Sequence, residues 1–193
     1  MSQLDPTIPS IPPSQPITVG SVYIADTKGS FVTREVPEIA VELAGIPSDR
    51  HYGLLRRADA RQKIYKRGTM IANRRQISIV SYEECLEIAQ HMKLTEIRPE
   101  WLGANLIIRG LEQLTLLPAG ARLLFPDGTG LICEGENEPC RKPAKMIESI
   151  LEQPGIASRF MPAAKKRRGI VCSVEREGII RQGDTIQIIT AHL

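Results

Sequence analysis

The sequence predicts a mostly β domain, a barrel or sandwich, interrupted by a few short helices. Three observations carry that prediction. Short runs rich in aliphatic and β-branched residues recur at close spacing, turn signals such as "LPAG", "PDGTG" and "REGIIRQGD" separate them, and helical periodicity appears in only two stretches.

Residues 1–16 carry Pro6, Pro9, Pro12, Pro13 and Pro16 with few large side chains to bury, which reads as an extended or flexible arm. From residue 17 to 193 the chain reads as one domain, a length that suits a single core. "ITVGSVYI" at 17–24 spaces its apolar residues by two on either side of Gly20-Ser21, as in a strand with an internal irregularity. "RRQISIVS", "NLIIRG", "TLLPAGARLLF", "TGLICEG", "GIVCSVEREG" and "DTIQIIT" supply the further strand candidates.

The first helix is "SYEECLEIAQHM". Ser81 followed by Glu84 is a capping-box pattern, and Cys85, Leu86, Ile88, Ala89 and Met92 form an apolar face. The second is "PAKMIESILEQPG", with Pro143 in its first turn, a stripe of Ala144, Ile147, Ile150 and Leu151, and Pro154-Gly155 as its stop.

Composition narrows the function classes. A hydrophobic content of 42% and a charged content of 24% describe an ordinary globular protein, and 4% aromatics argue against stacking platforms for single-stranded nucleic acid. No run is long and apolar enough to span a membrane, and the first residues lack the basic start and apolar core of a secretory signal. A cytoplasmic location and reduced thiols are therefore expected for Cys85, Cys133, Cys140 and Cys172. The net charge of +3 is unevenly spread, with "RKPAK" and "KKRR" suggesting an anionic partner for that region.

Cys140 stands apart from the other cysteines. It lies between Pro139 and Arg141, just ahead of the second helix, whose unpaired backbone amides carry partial positive charge. Arg141, Lys142 and Lys145 add full positive charges. Both effects favour thiolate over thiol. Cys85, Cys133 and Cys172 sit in apolar runs and read as core residues. On these residues alone Cys140 is either a reactive sulfur or a structural one. Zinc is not expected, because Cys133 and Cys140 lack a second close pair or a local histidine cluster. "GIPSDRHYG" gathers Asp49, Arg50 and His51 in a loop that either binds an anion or forms a salt-bridged turn, and Asn105 in "LGANLIIRG" reads as a turn or cap residue. The "KKRR" run either meets phosphate or forms a solvated surface, the commoner role of such a run.

Taken in order, "GIPSDRHYG", "ISIVSYEE", "LGANLIIRG" with "LTLLPAGARLLF", "EPCRKPAK" and "GIVCSVEREGIIRQGDTIQI" resemble a MOSC domain, the family named for the C-terminal domain of molybdenum cofactor sulfurases. The resemblance runs from about Ile17 to Ile189 and implies a compact β-barrel-like fold. It implies that Cys140 is the family's cysteine, either ligating the molybdenum of a pterin cofactor or carrying sulfur. It places Asp49, Arg50, His51 and Asn105 in the cofactor site, and Arg141, Lys142 and Lys145 suit the cofactor's phosphate. Some relatives reduce N-hydroxylated compounds. With no C-x4-C-x2-C pattern for a plant-type iron–sulfur cluster, a reductase of this kind takes electrons from a separate protein. The alternatives are a persulfide carrier without bound metal, loaded by a sulfur donor such as a cysteine desulfurase, and a non-catalytic module with a basic surface. Ser48 stands where the loop pattern calls for glycine.

Overall fold

The structure, a computed structural model, describes residues 16–190. The proline-rich arm expected over 1–16 lies outside the described residues, Pro16 apart. The chain opens with strands β1 (Thr18–Ile24), β2 (Arg34–Val36) and β3 (Glu38–Val41), then a hairpin of β4 (Leu55–Arg57) and β5 (Met70–Ala72). Strand β6 (Ile77–Ser81) leads into helix α1 (Tyr82–Met92) and the single turn α2 (Pro99–Leu102), and β7 (Leu106–Arg109) follows. Strands β8 (Arg122–Leu124) and β9 (Gly130–Glu136) precede helices α3 (Arg141–Leu151) and α4 (Ile156–Ala163). Strands β10 (Ile170–Arg176), β11 (Gly178–Arg181) and β12 (Gln187–Ile189) complete the order.

Eight strands form one mixed sheet in the order β12-β8-β9-β10-β6-β7-β1-β2, while β11 pairs with β3 and β4 with β5. The fold is thus β-dominated with short helices, as the strand count predicts. No ladder among the described residues closes the large sheet. The segment ahead of β12 nonetheless bonds to β1, with Val19 N donating to the Asp184 carbonyl at 2.8 Å and Ile186 N to that of Ile17 at 2.9 Å.

The middle of the sheet explains the hydrophobic pattern. Strand β6 is buried along its whole length and runs parallel to β7, an arrangement that requires a crossover, here α1 and α2. Ile77, Ile79, Leu106 and Ile108 face one core with Val19, Leu123, Leu131, Cys133 and Cys172. Val80 and Ile107 face the opposite core, which the helices fill with Ile88, Met92, Ile147 and Phe160. The irregularity expected at Gly20-Ser21 is a register shift between Val19 and Ser21 in the pairing of β1 with β7.

Three expectations change in detail. "REGIIRQGD", read as a turn, contains β11, because Ile179 and Ile180 pair with Ala40 and Ile39 of β3, a partner distant in sequence. Leu86 lies exposed on α1, and Ile150 and Leu151 lie on the solvent side of α3, so both apolar faces are narrower than their sequences suggest. Helix α4 begins directly after the Pro154-Gly155 stop and buries Ile156, Phe160 and Ala163. Its short length hid its period.

The capping box is half formed. Ser81 Oγ accepts from Glu84 N at 3.2 Å, but the Glu84 carboxylate turns inward and accepts from Thr115 N at 2.9 Å and Thr115 Oγ1 at 2.7 Å. Burial pushes the Glu84 carboxyl up to about 7, against the lowering effect of its Thr115 bonds. The folded protein therefore holds this proton over a range, from about 4.5 to about 7, in which the unfolded chain releases it. Stability from this group is fully present below that range and is lost as pH rises through it. Asp49, Asp59 and Asp127, whose carboxyls are held below 3.8, act only at more acid pH. We expect the melting temperature to fall by roughly 7–14 °C across the Glu84 range. Scanning calorimetry should show that decline in the wild type and its absence in Glu84→Gln. A decline shared by both would remove Glu84 as its source.

Candidate functional site

Cys140 caps α3 with extended backbone angles, φ −142° and ψ 167°, and its side chain makes no bond to the helix amides behind it. The sulfur is thus left beside the positive helix end without being consumed by it. Cys140 is half-buried, whereas Cys85, Cys133 and Cys172 are buried and free. Burial pushes the Cys85 thiol up to about 12 and raises those of Cys133 and Cys172. Of the four cysteines, Cys140 alone has access to solvent.

Cys140 lines a cavity of about 390 Å³ over the helix-covered side of the sheet, where Ser78 of β6 and Val171 of β10 form part of the floor. Seven cationic side chains border it (Arg50, Arg56, Arg61, Arg75, Arg141, Lys142 and Arg168) against the two carboxylates Asp59 and Glu138. A second, broader cavity of about 1220 Å³ shares Cys140, Lys142, Arg75, Arg56 and Arg61 with the first. Cys140 stands where the two meet.

Arg168 is the most informative of these cations. It is 5% exposed; one guanidinium nitrogen, Nη2, donates to the Leu102 carbonyl, while Nη1 has no partner among the described residues. A buried guanidinium N–H left unpaired is costly unless something anionic completes it. Burial brings its pKa down to about 10, so it stays charged at neutral pH, and a Cys140 thiolate acts in the opposite, favourable direction. The backbone behind it is held tightly. Gly169 has φ +80°, a Cβ there would meet the Ile79 carbonyl at 2.0 Å, and Gly169 N donates to Thr115 Oγ1 at 2.7 Å. Arg75 is held from the other side, its Nη2 donating to Asn137 Oδ1 at 2.6 Å. Burial, with Arg61 and Arg56 adding to it, lowers its pKa to about 10.

The loop predicted to carry cofactor contacts divides into two layers. Arg50 and His51 line the cavity. Asp49 and Asn105 are buried behind them and do not. Asp49 Oδ2 accepts from Ala25 N at 2.8 Å and Asn105 Nδ2 at 2.9 Å, and Oδ1 accepts from His51 N at 2.8 Å and faces His51 Nδ1 at 3.2 Å. Burial works to raise the Asp49 carboxyl, but these bonds outweigh it and hold it below the usual carboxylate range. Asn105 Oδ1 accepts from Ser78 N at 3.0 Å, so one asparagine ties the loop to β6. Ser48 adopts the left-handed conformation, φ 68°, that glycine would reach without strain. Lys145 is exposed on α3 and borders neither cavity. Among the described residues no group of three or more His, Cys, Asp or Glu side chains is placed to hold a metal ion.

The family model for the MOSC domain matches residues 65–187. This chain is a MOSC domain protein. YuaD of Bacillus subtilis (strain 168), whose name connects it with metal-sulfur cluster biosynthesis, is 51% identical over 168 residues, covering 86% of this chain and 87% of that protein. A crystal structure of the Bacillus subtilis YuaD protein superimposes with a TM-score of 0.87 at 49% identity, covering 90% of this chain and 96% of that one. YiiM from Escherichia coli shares the fold at 16% identity, with a TM-score of 0.60 over 92% of this chain and 71% of its own.

Within this MOSC chain, sequence reasoning missed Arg56, Arg61, Arg75 and Arg168 as lining residues. Arg168 was hidden in "KKRR", whose members take different roles: Lys165 and Lys166 are exposed, Arg167 pairs with Glu87 at 2.5 Å, and Arg168 turns inward. The signal in the sequence is Gly169, whose positive φ marks a tight return into β10 directly after Arg168. Among the described residues no helix is long and apolar enough to cross a membrane.

Proposed function

We propose that this MOSC protein binds an anionic, sulfur- and metal-bearing cofactor of the molybdopterin type in the cleft beside Cys140, with the Cys140 sulfur as its ligand or as the carrier of a transferable sulfur. The observation that carries the reading is the unpaired, buried Nη1 of Arg168 in a cavity that also exposes the one accessible cysteine. The donor set fits such a group: a thiolate is a soft ligand suited to a soft metal, and guanidinium groups suit phosphate and oxo anions. The connection of YuaD's name with metal–sulfur biosynthesis agrees with this chemistry. When bound, the cofactor would supply a redox-active metal, and reduction of N-hydroxylated compounds with an external electron donor is the enzymatic form of the proposal.

The chain's own residues would divide the work. The α3 N-terminus and Arg168 place positive charge beside the Cys140 sulfur. Arg168 Nη1 and Arg75 bind negative oxygen, while Asn137 fixes the Arg75 guanidinium. Asp49, facing Nδ1 of His51, orients the imidazole and leaves Nε2 to accept a proton or hydrogen bond. The bonds bridging β1 to the segment before β12 suit the family's barrel-like closure.

A second reading, sulfur carriage without resident metal, is favoured by one specific feature: no other cysteine is exposed to resolve a Cys140 persulfide as an intramolecular disulfide. Both readings require an accessible Cys140 thiolate in an anion-binding cleft. Brief iodoacetamide treatment of the native protein, read by peptide mass mapping, should label Cys140 alone, and molybdate or inorganic phosphate should slow it several-fold. Labelling of Cys85, Cys133 or Cys172 at the same rate, or indifference to both oxyanions, would overturn the proposal.

A further inference from the structure

The β4–β5 hairpin belongs to no larger sheet and carries a surface that neither core explains. Ile64 at its tip is 86% exposed, and Leu54 and Leu55 are 63% and 60% exposed; Tyr65 and Met70 are also exposed. Around this apolar surface, residues 54–75 hold eight Lys and Arg side chains against the single carboxylate of Asp59, although the whole chain has a net charge of only +3. Asp59 is already engaged by Arg56 at 2.7 Å and Arg61 at 3.3 Å, so Arg57, Lys63, Lys66 and Arg67 face solvent without a carboxylate partner among the described residues, Arg57 donating only to the Gly68 carbonyl at 3.3 Å. A basic rim around exposed aliphatic and aromatic side chains is the composition of an interface for an acidic protein surface with an apolar centre.

The hairpin's two faces have different destinations. In the register Leu55–Ala72, Arg56–Ile71 and Arg57–Met70, the side chains of Leu55, Arg57 and Met70 are exposed and border neither cavity, whereas Arg56, Ile71 and Ala72 line the broader cavity that reaches Cys140. Ile64, Tyr65 and Arg67 border that cavity too. A macromolecule seated on the hairpin therefore lies against the broader of the two cavities that Cys140 lines.

We propose that the β4–β5 hairpin is the docking surface for an acidic protein that delivers sulfane sulfur to Cys140. This rests on the reading of Cys140 as a sulfur-bearing residue and assigns the place where its donor docks. In the transfer, the Cys140 thiolate attacks the terminal sulfur of the donor's cysteine persulfide. The donor's S–S bond breaks, its cysteine departs as thiolate, a new S–S bond forms on Cys140, and no external oxidant or reductant is consumed.

The test compares two donors by intact mass: a cysteine desulfurase charged with cysteine, and sodium polysulfide. The variant is the double charge reversal Arg57→Glu with Lys66→Glu, two exposed positions that border neither cavity. Loading of the wild type by the desulfurase should be salt-sensitive, and the variant should be loaded about tenfold more slowly at low ionic strength. Polysulfide should load both proteins at the same rate. Equal loading of both by the desulfurase, or a wild type loaded by polysulfide but not by the desulfurase, would overturn the docking proposal and leave Cys140's role standing. Failure of polysulfide to load the wild type would overturn both. Tight binding of a single-stranded oligonucleotide that the double variant loses, with desulfurase transfer unchanged, would reassign the hairpin to nucleic acid.

Discussion

Cys140→Ala should abolish the gain of one sulfur atom on exposure to polysulfide, while the protein melts within about 0.5 kcal/mol of the wild type. The two halves of that expectation have separate causes. Cys140 is half-buried and its side chain makes no cap bond, so its removal leaves neither a cavity in either core nor an unpaired helix donor that was previously satisfied. Its chemistry, by contrast, has no substitute. Cys85, Cys133 and Cys172 are buried, with thiols raised by desolvation, and cannot present thiolate to a donor in the folded state. Cys140→Ser gives the same result with the volume nearly preserved. Intact mass spectrometry before and after reduction with dithiothreitol measures it. Retention of a reducible sulfur on the Cys140→Ala protein would show that another cysteine does the work.

Asp49→Asn should cost about 3 kcal/mol of stability and loosen the cleft in the same stroke. The carboxylate accepts from Ala25 N, Asn105 Nδ2 and His51 N, and also faces His51 Nδ1. An amide at this position keeps one acceptor oxygen and sets an NH2 group against donors, leaving buried N–H groups unpaired. A melting-temperature drop of roughly 6–12 °C is expected for a chain of this size. The pH dependence identifies the cause. Because hydrogen bonding holds the Asp49 carboxyl below 3.8, its contribution is present above that value and lost as pH falls through the lower folded value. The variant should therefore lose stability at neutral pH and match the wild type more closely in acid. Equal destabilisation at all pH values would point to packing instead. Oxyanion protection of Cys140 should also weaken, since His51 and Arg50 reach the cavity from the loop that Asp49 pins.

What the sequence made legible was governed by local rules. The irregularity at Gly20-Ser21, the start of α1 at Ser81 and the start of α3 beside Cys140 depend on residues close together in the chain. The core assignment of Cys85, Cys133 and Cys172 followed from apolar neighbours in the same way. Strands β3 and β11 were not legible, because each is defined by a partner more than a hundred residues away. The site split along the same line. Arg50, His51, Arg141 and Lys142 do border the Cys140 cavity, but Asp49 and Asn105 support it from behind, a distinction made by tertiary hydrogen bonds and not by residue type. Arg168 shows the limit most clearly. Its neighbours Lys165 and Lys166 are solvated, whereas Arg168, just ahead of the turn at Gly169, is buried with one N–H unpaired among the described residues and lines the same cavity as Cys140.

The measurement that bears most directly on the central proposal is the molybdenum and pterin content of protein purified from a cofactor-competent host, with wild type, Cys140→Ala and Arg168→Leu prepared in parallel. Molybdenum and pterin are expected in the wild type, reduced pterin in Arg168→Leu, and loss of molybdenum from Cys140→Ala under mild washing. Equal and negligible molybdenum and pterin in all three would contradict the proposal.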